Sequence, residues 1–80
     1  YNKSVPEIFR FKSIVFYFYS REHEPIHVHI KHAERRVVIE LATLKARDNK
    51  GFKPKELKLL IAKVKEHSEL IEEMWNERFK

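Results

Sequence analysis

The sequence predicts an α+β domain: an antiparallel sheet of three or four strands packed against one long C-terminal helix. Three observations predict it. Apolar runs in the first half alternate with the period of two that a half-buried strand requires. The breaks between them are short and polar, too short for crossover connections, so consecutive strands should pair antiparallel. The last third carries an apolar stripe at helical spacing, uninterrupted by glycine or proline after Pro54. Strands first and a helix last is an α+β order.

Residues 1–7 read as an extended arm, because Pro6 removes a backbone donor and biases Val5 away from helix. Ile8 to Tyr19 reads as one long strand, with Lys12-Ser13 as a break or bulge. Its second half, Ile14 to Tyr19, is β-branched or aromatic at every position, which suits a pleated surface. Ile14, Phe16 and Phe18 share one face; Val15, Tyr17 and Tyr19 share the other. That predicts a central strand covered on both sides, or one whose tyrosine face lines a groove. Ser20 to Pro25 is a polar connection. His27 to His32 is the next strand, with His27, His29 and Lys31 on one face and Val28, Ile30 and His32 on the other. Ala33-Glu34-Arg35 turns the chain, and Arg36 to Leu41 returns it. Asp48-Asn49-Lys50-Gly51 is a turn signal, with a short fourth strand before it. Pro54 opens the helix, where a missing N–H costs nothing. Leu57, Leu60, Ile61, Val64, Ile71 and Trp75 form its stripe, with Met74, Leu70 and His67 along one edge. About 24 residues of helix would extend roughly 36 Å.

Eighty residues make a single domain, 1–80. Forty-two per cent hydrophobic with thirty-six per cent charged excludes a disordered chain. No apolar run nears the ~20 residues that span a bilayer, and no signal-peptide pattern is visible, so no membrane partner and a cytoplasmic location are expected. Cysteine is absent, which excludes disulfides and thiolate metal sites. Residues 1–65 hold fifteen Lys and Arg against seven Asp and Glu; residues 66–80 hold two against five. A basic body with an acidic end attracts polyanions at long range.

The chemistry concentrates in His23-Glu24-Pro25-Ile26-His27-Val28-His29, which holds three of the five histidines. On a strand, His27 and His29 point the same way, and His23 can fold back across the proline. Three readings stay open. Imidazoles change charge near neutral pH, so His23, His27 and His29 would serve as catalytic acid and base in RNA cleavage. Arg21, Lys31 and Arg36 would then hold phosphate, and Tyr17 and Tyr19 would stack bases. Alternatively His23, His27 and His29 are metal ligands, for zinc or, with the same donors, nickel or copper, and the protein a metal-dependent hydrolase. A non-catalytic protein-interaction domain is the third. Glu22 and Glu24 are solvated loop charges or orienters of His23. No Ser-His-Asp pattern, phosphate-binding glycine loop or zinc-knuckle spacing is present.

The segment Glu22-His23-Glu24-Pro25-Ile26-His27-Val28-His29 resembles the Asp-His-x-Pro-Pro-His-Phe-His motif of a family of small bacterial proteins, the domain of unknown function numbered four-one-six-zero. Glu22, Ile26 and Val28 depart from the motif. The resemblance extends from Pro6-Glu7-Ile8-Phe9-Arg10-Phe11 through Gly51, Pro54 and His67 to Glu69-Leu70-Ile71-Glu72-Glu73-Met74-Trp75. It implies that the histidine motif is a family feature. It also implies one half of a two-gene module of the toxin–antitoxin kind, with a cognate partner protein encoded nearby and RNA as a target by analogy.

Overall fold

Alternation with period two puts neighbouring side chains on opposite faces of a strand, and the fold is built on that alternation. The computed structural model describes residues 7–18 and 25–79. Five strands, β1 (Glu7–Phe11), β2 (Ile14–Tyr17), β3 (His27–His32), β4 (Arg35–Glu40) and β5 (Ala46–Lys50), pair antiparallel in chain order as a meander. Two helices follow, α1 (Pro54–Glu66) and α2 (Ser68–Phe79). The α+β class is as the sequence predicts; among the described residues the counts are five strands and two helices, not three or four and one.

Each difference has a local cause. Lys12-Ser13 is a hairpin turn between β1 and β2, not a break within one strand. Lys12 sits at φ 57°, a left-handed conformation that nothing in its side chain advertises. Glu7, placed in the arm by the sequence, begins β1 and pairs with Tyr17; the rest of the arm lies outside the described residues. The turn after β3 is only Ala33-Glu34, so β4 starts at Arg35. Asp48 and Asn49, read as a turn, lie inside β5 as a bulge: Arg36 pairs with Lys50 and Val38 with Arg47, so two residues oppose Val37. Asp48 takes φ 54° to make that bulge.

The helix is interrupted at His67. Its own N–H is shared between the Lys63 and Val64 carbonyls, and its Nδ1–H donates to the Lys63 carbonyl at 2.9 Å. The His67 backbone takes φ −104° and ψ 21°, outside the helical range, and α1 ends there. Ile71 N–H then donates to the His67 carbonyl, so the ladder resumes at once as α2. The His67 ring stacks on Phe9 at 3.9 Å, and Phe9 stacks on Phe16 at 4.2 Å, which ties the junction of α1 and α2 to β1 and β2.

The core lies between one sheet face and the helices. Phe16, Phe18, Val28, Ile30, Val37 and Ile39 meet Leu60, Val64, Ile71 and Trp75, all at most 1% exposed. Phe18 meets Trp75 edge-on at 5.3 Å. The predicted helical stripe is therefore the buried one, with Leu57 and Ile61 at its margin. The sheet is joined to α1 through one carboxylate. Glu56 accepts the Lys53 N–H at 2.8 Å, which caps the helix, and the Arg35 guanidinium at 2.7 Å. Gly51 lies between β5 and α1 at φ +100°, and a Cβ there would stand 2.9 Å from Arg35 Cγ. No described helix is long and apolar enough to cross a membrane.

Candidate functional site

The face of the sheet turned away from the core receives the residues that alternate with it. Register places Tyr17 opposite His29, and His29 opposite Val38. It places Lys31 between Val15 and Arg36, and Arg36 opposite Lys50. Four cationic residues therefore stand on this face across β3, β4 and β5: Lys31, Arg36, Arg47 and Lys50, all exposed. The acidic residues nearby are mostly engaged. Glu40 accepts the Thr43 hydroxyl at 2.9 Å. Glu7 receives both Nε and Nη2 of Arg10 at 3.0 Å, a fork that holds its carboxyl below the usual range and raises Arg10.

An open groove of about 420 Å³ runs between Tyr17 and His29 on one side and Arg36, Asp48 and Lys50 on the other. Tyr17 is 5% and His29 9% exposed, so only their rims reach it. Their rings lie 5.5 Å apart at 27°, and Lys31 Nζ sits 5.9 Å over the Tyr17 ring. Base stacking on the Tyr17 face, as the sequence suggests, would need that ring uncovered.

His27 begins β3 beside this groove. Its Nδ1 lies 2.7 Å from the Pro25 carbonyl, which can only accept. Nδ1 therefore carries a proton, and in the neutral ring the lone pair is on Nε2. The His27 ring meets His29 at 5.5 Å and Trp75 at 5.6 Å, so it straddles the end of the sheet between the two faces. Of the predicted site, the structure brings together His27, His29, Tyr17, Lys31 and Arg36. His23, Arg21 and Tyr19 lie outside the described residues, as do Glu22 and Glu24. Among the described residues, no three of His, Asp and Glu gather where a metal ion could be shared. His67 faces Phe9 of β1 and makes the backbone bond described above, as a partly buried structural histidine does.

Arg47, Asp48 and Lys50 were not legible as site residues. Ala46-Arg47-Asp48-Asn49-Lys50 has low strand propensity and no alternation, so nothing in it announces that a bulged edge strand flanks the histidines.

A five-stranded meander with two helices on one face and a basic, histidine-bearing groove on the other defines a small α+β module. The chain belongs to the family DUF4160, a domain of unknown function, whose model matches residues 13–76. That span contains the whole histidine motif and Trp75, and it begins after the Pro6–Phe11 segment. Neither the curated proteins nor the solved structures give a match.

Proposed function

We propose that the protein binds single-stranded RNA on the helix-free face of the sheet, with the histidine segment at the edge of the bound strand. One observation carries this: two exposed cations, Arg36 and Lys50, line a groove whose inner wall is an aromatic ring and an imidazole, and two more, Lys31 and Arg47, stand on the same face of the sheet. Phosphates need spaced cations, and unpaired bases need flat or polar edges; this face offers both. An open sheet presents its side chains in rows that a flexible strand can follow.

Cleavage is the catalytic form of the same reading. His27 Nε2 would take the 2′-hydroxyl proton; the 2′-oxygen would attack phosphorus, and the departing 5′-oxygen would take a proton from the His29 or His23 imidazolium. Lys31 and Arg36 would hold the phosphate charge. A module of this kind is suited to act as the toxin half of a two-gene pair.

The test is anisotropy of labelled single-stranded RNA with the full chain at several salt concentrations. Four engaged cations predict a slope of log K against log salt of about −3. Absence of binding at low salt would sink the reading. Product analysis then decides on catalysis: 2′,3′-cyclic ends that vanish with His27→Ala support it, and intact RNA confines the protein to binding.

A further inference from the structure

The β5 bulge and the cross-strand pair beside it give the groove a more specific chemistry than a basic patch. Arg36 and Lys50 are directly opposite each other in the ladder. Like charges at opposed positions destabilise a sheet unless an anion lies between them. Among the described residues neither has an acidic partner within ion-pair distance. Asp48 is likewise unpaired, although it lines the same groove as those two cations. Its φ of 54° is a conformation that costs a non-glycine residue free energy, and it is what carries Asp48 into the bulge facing Val37.

We infer that this groove is a pocket for one nucleotide with a guanine base, the base edge on Asp48 and its phosphate between Arg36 and Lys50. The inference rests on the RNA reading and narrows it to a base. A carboxylate only accepts hydrogen bonds and has two oxygens to do so. Guanine is the RNA base whose Watson–Crick edge offers two parallel donors, N1–H and N2–H; adenine and cytosine offer one amino group beside an acceptor, and uracil one imide N–H between two. The volume of about 420 Å³ falls in the range of about 300–1,000 Å³ typical of small-ligand pockets. The rims of Tyr17 and His29 line the wall opposite the carboxylate. Asn49 does not compete for the ligand, because its side-chain amide is bound on both sides to Phe52: Nδ2–H donates to the carbonyl at 2.9 Å and Oδ1 accepts the N–H at 3.1 Å. That clamp holds the bulge in place while Asp48 stays unpaired.

The experiment is an amide chemical-shift titration of the full chain with GMP, AMP, CMP and UMP. The expected result is that GMP perturbs His29, Val38 and Lys50 at roughly tenfold lower concentration than the others, the discrimination of one good bidentate contact. Asp48→Asn replaces one acceptor by a donor and should abolish the preference while leaving the weaker, phosphate-driven shifts. Asparagine tolerates positive φ, so the bulge survives the change. Equal response to the four nucleotides overturns the inference, and so does a GMP preference that Asp48→Asn leaves intact. Guanine-free and guanine-containing RNA separate the two readings. If both bind alike and Arg36→Ala weakens both, the guanine pocket falls and RNA binding stands; if neither binds, both fall.

Discussion

The two faces of the sheet are drawn from adjacent residues of the same strands, and they differ in almost every physical respect. In β3, Val28 and Ile30 are fully buried against the helices, while Lys31 is exposed on the other side and His29 borders the groove. In β4, Val37 and Ile39 are core, and Arg36 and Val38 line the groove. One face excludes water over a continuous apolar layer; the other carries exposed charged side chains around a groove. A step of one residue therefore crosses from the core to the groove, and substitutions at neighbouring positions should separate stability from the proposed binding.

The largest effect belongs to the covered face. Trp75→Ala removes a ring that meets Phe18, His27 and Phe79, and should cost about 3–5 kcal/mol in urea unfolding. In a domain this small that approaches the whole stability. Ile30→Val, a single methylene from the same layer, should cost about 0.5–1.5 kcal/mol with an unchanged denaturant slope. A loss for Ile30→Val below a few tenths would mean that the layer is not close-packed, and the contrast between faces would weaken.

Gly51→Ala probes the joint between sheet and helices. It combines a φ of +100° with a 2.9 Å approach to the Arg35 stem, and should cost about 1–3 kcal/mol. A melting temperature unmoved by Gly51→Ala would show that Arg35 and the backbone both yield freely.

The Glu56 contact at the same joint is a pH effect, and a smaller one. The Lys53 N–H first, and then the Arg35 charge, holds the Glu56 carboxyl below the usual glutamate range. A carboxyl depressed in the folded state stabilises the fold above its unfolded value, and that contribution is lost as pH falls through the folded one. Stability should therefore decline on acidification below the ordinary glutamate range, and Glu56→Gln should flatten that part of the profile. The group is solvent-exposed, so salt should shrink its Arg35 component. An identical pH profile in the variant would remove Glu56 from the joint.

The covered face was legible in the sequence because burial imposes periodicity. The stripe from Leu57 to Trp75 and the alternation of Val28, Ile30, Val37 and Ile39 are direct traces of it. What was not legible depends on single backbone conformations that leave no such trace. Lys12 at positive φ turns an apparent long strand into a hairpin, and Asp48 at positive φ turns an apparent loop into a bulged strand. At His67 a backbone conformation of φ −104° and ψ 21°, with no proline or glycine to announce it, divides the helix. For the site, the shared direction of His27, His29 and Lys31 followed from period two. For Tyr17 the sequence leaves two alternatives, a covered face or one that lines a groove; its side relative to the histidines follows only from the register, and it is 5% exposed beside His29. The far wall of the groove was missed because β5 is bound to the sheet by backbone pairing, which its polar side chains do not report.

The smallest effect on stability should come from Arg36→Ala, and it is the sharpest test of the comparison. Arg36 is exposed, and no described acid pairs with it. Its removal should shift unfolding by no more than about 0.5 kcal/mol. Truncating it also relieves repulsion from Lys50 across the ladder, so a slight gain is as acceptable as a slight loss. Binding should respond differently. Loss of one phosphate contact should weaken single-stranded RNA at low salt and reduce the salt slope by about 0.7. Val37, the next residue, should behave in the opposite way: Val37→Ala should lower stability and leave the salt slope alone, since its side chain is in the core. If instead Arg36→Ala unfolds the protein, or Val37→Ala changes the slope at unchanged fold, the two faces are not separate in function, and the ligand would have to be sought at the acidic outer side of α2 around Glu69, Glu72 and Glu73, where the chemistry would favour a basic partner and not RNA.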